Sequence, residues 1–346
     1  MMRLSRRLSI LILLMLSFGF MGQSLAQDCT YDLSKADYSL LNNATNASVN
    51  SKTQPLSTLD FTLNTDFEGV SKDGTLKLEA KGQWKIADGS TSNPRIQLTV
   101  DGSFKLNKET KPFKLEARYI DGYIYIQYTD ESVTPAKTSE WIKYKLTTLI
   151  AKSIGIPEGL IENMFSPTAM ANSGKATPIP PIDIGGVDLC KYVSMERKDD
   201  TEVNGIQSAH YQVDVDAVRL LSSPEFIKIL LTGMSLSGGS LPGGLDFGGM
   251  GGMGGAMDPN DPQAAQMFGM MIQMFVSKLN ISVEPYVDLK ANRFARTQIN
   301  MELGLGGGMM STSSSKTTIK VDLDLNWTGY GEKPVIEEPK DAVLGK

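Results

Sequence analysis

Histidine occurs once in this chain, at His210, and cysteine only twice, at Cys29 and Cys190. Any Ser-His-Asp triad or histidine-based metal site would have to use His210. No G-x-S-x-G or H-E-x-x-H segment accompanies it. We therefore read His210 as a structural histidine on the outward side of a strand, beside Tyr211. An excess of basic charge is also missing. There are 34 Lys and Arg against 39 Asp and Glu, a net charge of −5, and no dense basic cluster, so nucleic acid is a poor partner. The carboxylates alternate along exposed strand faces, as solvated groups do, and do not converge as a catalytic pair. No cofactor is implied. After the first residues, no apolar run is long enough to cross a bilayer as a helix.

The N-terminus reads as an export signal. Arg3, Arg6 and Arg7 precede an apolar stretch from Leu8 to Phe20, and Ser24-Leu25-Ala26 is a small-residue cleavage site. Residues 1–26 are thus expected to be removed. No cysteine follows the cleavage site directly, so no lipid anchor is expected, and the protein should be secreted or held in the periplasm or cell envelope. An even cysteine count in an exported chain suggests a Cys29–Cys190 disulfide. Such a long loop would contribute about 4–5 kcal/mol on the chain-entropy model. Two buried thiols are the alternative.

What the chain has in abundance is alternation. In residues 75–86, Leu76, Leu78, Ala80, Trp84 and Ile86 fall on one side, and Lys77, Glu79, Lys81 and Lys85 on the other. The pattern returns at 95–106 through Ile96, Leu98, Val100, Phe104 and Leu106, and at 319–327 through Ile319, Val321, Leu323, Leu325 and Trp327. Side chains alternate across a strand, so each segment has one dry and one wet face. Further strands are expected at 58–68, 113–119, 123–128, 140–144, 189–197, 205–215, 281–289 and 294–305. Asp121-Gly122 and Asn204-Gly205 are hairpin signals between them. Residues 27–57, rich in Asn, Ser and Thr, read as a polar N-terminal arm.

Two helical inserts interrupt the strands, at about 146–165 and 217–279. Ser223-Pro224 and Asp261-Pro262 each place a capping residue before a proline at the first helical position. Between these two helix starts, 233–257 is a Gly/Met-rich low-complexity loop. Eight of the 18 methionines fall in this region, at 234, 250, 253, 257, 267, 270, 271 and 274. They could bind a soft metal, form an adaptable apolar surface, or fill gaps in a core.

About 10–11 strands with strongly charged outer faces, together with very apolar helices, imply an α+β, mostly β fold. The expected form is a single strongly curved antiparallel sheet, a half-barrel, with helices covering its concave face. An outer-membrane barrel would leave those helices without a role.

At this point the residues carry a resemblance. The segment 200–216 around Asn204-Gly205 and His210-Tyr211, the strand pair 281–303 with Asp288, Arg293 and Arg296, the Asp121-Gly122-Tyr-Ile-Tyr hairpin before Glu140-Trp141, and the closing 330–342 resemble the LolA/LppX-like (LppX/LprAFG) lipoprotein-carrier superfamily. The resemblance spans most of 58–342, leaving 343–346 as a tail. It implies a half-barrel that holds lipids or lipidated proteins in its cavity, and an envelope donor or acceptor protein as partner. The lipid-attachment cysteine common in that superfamily is missing.

The expected function is a non-enzymatic carrier of a lipid or other hydrophobic ligand, monomeric and at most peripheral to a membrane. Leu78, Trp84, Leu98, Phe104, Leu323 and Leu325 would line the sheet side. Met267, Phe268, Met270, Met271, Met274 and Phe275 would form the lid. The competing reading is an envelope or surface protein whose core is filled by its own helices.

Overall fold

A computed structural model describes residues 31–47, 56–71, 74–87, 95–149, 188–228, 263, 266, 267, 269, 270, 276–306 and 317–345. The chain divides into two compact units. The first comprises Tyr31–Leu146, Val193–Val218 and Met274–Lys346. It holds one unclosed, curved sheet of 14 strands.

The strands are β1 (Leu56–Ser71), β2 (Gly74–Ala87), β3 (Arg95–Leu106), β4 (Glu109–Ile120), β5 (Tyr123–Asp130), β6 (Lys137–Thr138), β7 (Ile142–Lys145), β8 (Val193–Arg197), β9 (Thr201–Val203), β10 (Ile206–Asp216), β11 (Val276–Asp288), β12 (Phe294–Leu305), β13 (Thr317–Tyr330) and β14 (Val343–Leu344). Their spatial order is β14-β7-β5-β4-β3-β2-β1-β13-β12-β11-β10-β8, with β6 on β5 and β9 on β10. Neighbours in sequence are mostly neighbours in space, as an antiparallel meander requires. The long-range closure is β1 against β13, which brings the first and last long strands together in the middle of the sheet. The three strands beyond the expected number are β6, β9 and β14, each of two or three residues and too short to show a period.

Turn chemistry follows the signals. Asp121 and Gly122 have φ of 51° and 82°, and Asn204 and Gly205 have 52° and 78°. Two successive positive φ values match the right-handed twist of the flanking strands, which is why Asx-Gly pairs sit there. Asp288 closes β11 differently. Its Oδ1 accepts from the backbone N–H groups of Lys290 (2.8 Å) and Ala291 (2.9 Å).

Two boundaries differ from expectation. Strand β11 begins at Val276, inside the stretch read as helical to 279, because Val276, Lys278 and Leu279 pair with Leu305, Gly304 and Leu303. A short apolar run carries no period that separates helix from buried strand, so pairing decides. The N-terminal arm contains a helix, α1 (Lys35–Thr45), with Leu41 and Ala44 buried. Ser34 and Asp37 form a reciprocal cap at its start. A second helix, α2 (Ala217–Leu221), follows β10 directly.

Of the other unit (Met1–Thr30, Thr147–Tyr192 and Arg219–Gln273), a turn of 3-10 helix at Leu189–Lys191 and part of two helical segments are described. Residues 224–228 are helical, and the Ser223 hydroxyl accepts from Phe226 N–H at 3.3 Å, as the Ser-Pro signal predicts. Ile227 is buried, and its Cδ1 lies 3.1 Å from where a Cβ on Gly269 would stand. Cys29 and the loop 233–257 lie outside the described residues. Among the described residues, no helix is long and apolar enough to cross a membrane.

Two strand glycines allow aromatic rings to lie flat across the sheet. A Cβ on Gly82 would meet Phe61 Cζ at 2.6 Å and the Thr99 carbonyl closer still; one on Gly102 would meet Phe113 Cζ at 2.9 Å. Glycine inside a strand commonly marks such a bend or close approach. We expect Gly82→Ala to destabilise the protein by about 3 kcal/mol through overpacking against backbone, read as a lower urea midpoint. Gly122→Ala, at an open turn, should lose stability only through its positive φ and by a smaller amount.

Candidate ligand-binding face

The register of the long strands stacks apolar residues into rows that run across the sheet. One row reads Trp327, Leu59, Trp84, Leu98, Ala117, Ile126 and Ile142, each paired with the next. The neighbouring row is Leu325, Phe61, Gly82, Val100, Leu115 and Tyr128, and the next holds Leu323, Leu63, Ala80, Gly102 and Phe113. A fourth contains Val321, Thr65, Leu78 and Phe104. The six predicted sheet-side residues therefore share one face. Leu78 and Leu325 are buried, whereas Trp84, Leu98, Phe104 and Leu323 are partly exposed. Phe104, Phe113 and Tyr128 stack in series, with centroids 4.8 and 6.0 Å apart.

The opposite face is polar and knitted by cross-strand pairs. Lys77 meets Asp66 at 3.0 Å, the Gln83 amide donates to Asp60 at 2.8 Å, and the Gln97 amide donates to Glu116 at 2.6 Å; Arg118 meets Glu116 at 2.7 Å along the same strand. Arg296 forms a two-pronged pair with Asp324. His210 lies on this face. Its Nε2 is 3.0 Å from Glu284 Oε2, and its ring stacks on Tyr286 at 4.4 Å. An open depression of 660 Å³ lies on the polar face, lined by Asp60, Lys81, Gln83, Asp101, Lys114 and Glu116 among others. Sequence reasoning had placed a cavity only on the apolar side.

The C-terminal residues cross one end of the polar face. Arg95 donates to the Ile336 carbonyl (3.1 Å) and Arg118 to that of Glu337 (2.7 Å), while Lys143 pairs with Glu338 at 3.1 Å. Ile336 is buried with Ala87, Ile120 and Tyr125. The Tyr125 hydroxyl donates to Glu338 at 2.5 Å; that bond and the Lys143 contact hold the Glu338 carboxyl below its usual range. Residues 343 and 344, read as tail, pair parallel with β7.

The lid residues are less completely placed. Phe268, Met271, Met274 and Phe275 have no described side chain. Met267 and Met270 are exposed by 38% and 54%. Gly269 is buried, and a Cβ there would lie 3.1 Å from Ile227 Cδ1.

What sequence reasoning missed is α1. Its Asp37 reaches the apolar face of the sheet, where Oδ1 accepts from the Tyr211 hydroxyl at 2.9 Å and from Arg197 Nε at 3.1 Å. Tyr211 and Arg197 are cross-strand partners on β10 and β8. Tyr211 is fully buried, and burial followed by the Asp37 carboxylate pushes its hydroxyl well above the usual range. Burial alone would raise the Asp37 carboxyl. The bonds from Ser34 and Tyr211, together with the Arg197 charge, outweigh it and hold the group below its ordinary value. Ser34-x-x-Asp37 ahead of Tyr38, Leu41 and Ala44 was a legible capping signal.

No family model matches the chain, and no curated protein matches it. Among solved structures, LprF from Mycobacterium bovis is similar at 8% identity and a TM-score of 0.33, over 88% of this chain and 98% of that one. A putative outer membrane lipoprotein-sorting protein domain from Vibrio parahaemolyticus is similar at 7% identity and a TM-score of 0.20, over 78% and 85%. At such TM-scores the likeness bears no functional weight.

A carboxyl held below its ordinary value stabilises the fold above the unfolded-state value of about 4, and this contribution fades as pH falls through the folded value. Asp37→Asn should cost about 1–3 kcal/mol at neutral pH by leaving buried partners poorly satisfied. Hydrogen exchange over 35–45 should accelerate in the variant at neutral pH. In the parent, protection relative to the intrinsic exchange rate should fall only in acid.

Proposed function

We propose that this protein is an exported, non-enzymatic carrier that holds a lipid or other hydrophobic ligand against the apolar face of its sheet. One observation carries the reading. The rows through Trp84 and Leu98 leave Leu59, Phe61, Trp84, Leu98, Val100 and Leu115 partly exposed, although all lie in the middle of a long sheet. Residues with that much apolar area are normally covered in a folded domain. An acyl chain laid along the rows would gain about 0.8 kcal/mol per buried CH₂, so a modest contact suffices for tight binding. An envelope protein would load or receive the ligand, and the periplasm or cell envelope is the fitting compartment.

Native mass spectrometry with organic extraction, on mature protein from its own envelope fraction, tests this directly. The expected result is a discrete co-purifying lipid. A bare polypeptide mass that persists after incubation with envelope lipids would favour a structural protein with a self-filled core. Leu98→Glu places a charge in the middle of a row and should lower lipid uptake at least about tenfold. Lys77→Glu, on the polar face, should leave uptake unchanged, and an equal loss from both would count against this face.

Among the described residues no cysteine is free, which supports pairing of Cys190 with Cys29. Thiol titration of the denatured mature protein should find reactive cysteine only after reduction. Two thiols before reduction would refute the bond.

A further inference from the structure

The hairpin that joins β3 to β4 carries a charge opposite to that of the whole chain. The net charge is −5, yet residues 105–114 hold four lysines, at 105, 108, 111 and 114, against the single carboxylate of Glu109. Every residue from 105 to 111 is exposed. Register places the cations on both sides of the hairpin. Lys111 is paired with Phe104 and so shares the apolar side, where it lies 3.7 Å from Glu109. Lys105 is paired with Lys77 on the polar side, two like charges directly opposite each other. Lys77 is matched by Asp66, and Lys114 by Glu131 at 2.7 Å. Among the described residues, Lys105 and Lys108 form no salt bridge. Apolar groups are uncovered at the same corner. Leu106, Tyr128 and Val133 are 44%, 42% and 40% exposed. Leu106 lies two residues beyond Phe104 on one side of β3, and the ring of Phe113 joins Phe104 to Tyr128. The Glu131 N–H donates to the Pro112 carbonyl at 3.2 Å, which brings the start of the 131–133 segment beside β4. Ile319, Phe67 and Leu76, in the row that ends at Leu106, are also partly exposed, whereas Val321, Thr65 and Leu78 one row inward are buried.

A sheet with one dry face ordinarily keeps its cations on the wet side. Here lysines surround an uncovered apolar tip from both sides. That arrangement suits a flat anionic interface, in which apolar side chains enter the headgroup layer while lysine stems lie along it and carry their ammonium groups to phosphates. We propose that the β3–β4 end of the sheet docks on an anionic phospholipid bilayer, with Leu106 and Tyr128 entering the headgroup layer and Lys105, Lys108 and Lys111 meeting lipid phosphates. The carboxylates nearby do not cancel this charge. Glu109 is paired with Lys111 and Glu131 with Lys114, and Asp130 accepts from the Ser132 N–H and hydroxyl. With 130–137 counted as well, five lysines stand against three carboxylates. An acidic protein would meet the same cations, but it would leave the exposed leucine and tyrosine unexplained, whereas a bilayer engages both kinds of group. The proposal goes beyond the carrier reading and does not rest on it, since it concerns where the protein sits and not what its apolar face holds.

The test is flotation of the mature protein with two kinds of vesicle, phosphatidylcholine alone and phosphatidylcholine with one-third phosphatidylglycerol. The parent should float with the anionic vesicles, less so as salt is raised, and hardly at all with the neutral ones. Lys108→Glu should weaken the partition by about fivefold or more, the order for one cation at an anionic surface, and adding Lys105→Glu should weaken it further. Leu106→Asp should weaken it by about tenfold. Leu106→Trp, which keeps the corner apolar, should bind at least as well as the parent and shift its emission to the blue when anionic vesicles are added. Lys333→Glu, on the C-terminal strap at the other end of these strands, serves as the charge control and should change nothing. Folded parent protein that floats with neither vesicle overturns the proposal. So does binding that is indifferent to salt, or that survives the hairpin substitutions and falls with Lys333→Glu. Capture of polyglutamate in place of vesicles, lost with the lysine substitutions and kept in Leu106→Asp, would replace the bilayer with an acidic protein. A protein that co-purifies with lipid yet never floats would sink this docking corner and leave the carrier reading standing.

Discussion

Everything in the sheet depends on register. A strand of period two that slips by one residue sends its whole apolar set to the wet side. Here the long pairings hold Leu, Ile, Val, Phe and Trp in common rows on one face, while the cross-strand pairs Lys77–Asp66, Arg296–Asp324 and Gln83–Asp60 join the strands on the other. The polar face is therefore more than a solvated exterior. Its opposite-charge pairs favour the one register in which they meet, each by a few tenths of a kcal/mol up to about one. The tight Asx-Gly turns at 121–122 and 204–205 set the starting point from which two of the hairpins zip.

Register also explains how a sheet with one dry face is covered. At the β8–β11 end, the fold brings its own helix, α1, and anchors it through Asp37 to Tyr211 and Arg197. A half-buried carboxylate with two strong donors gives one defined docking position, which an apolar contact of equal area would not. On the other face the C-terminal strap performs a similar task for Ala87, Ile120 and Tyr125, with Ile336 as its apolar anchor. The middle of the apolar face, around Trp84 and Leu98, has the same apolar composition but keeps residues partly exposed and a donor unmet. The proposed carrier function rests on that contrast between ends and middle.

The polar-face depression shows how far a cavity differs from a site. It is lined by residues whose charges are already engaged with one another, such as Glu116 with Arg118 and Gln97, or Asp60 with Gln83 and Thr328. Satisfied groups have little left to offer a ligand.

Much of this was legible in the chain before any coordinates. Alternation assigned the long strands and sorted Leu78, Trp84, Leu98, Phe104, Leu323 and Leu325 onto one face, because period two is a local property of the backbone. The hairpin turns and the Ser223 cap were legible for the same reason: each depends on a few adjacent residues. The α1 helix was overlooked although its capping pair was present, since a segment rich in Asn and Ser acquires a buried side only when Tyr211 and Arg197 are opposite it. The start of β11 depended on pairing with β12, and the role of 331–344 on the strands it crosses. Neither is encoded within the segment itself. The sequence alone determined which residues could share a face. Tertiary structure decided which of them meet across strands, which are covered, and that the indole of Trp327 finds a threonine while that of Trp84 has no hydrogen-bond partner among the described residues, because partners far apart in the chain are chosen by register.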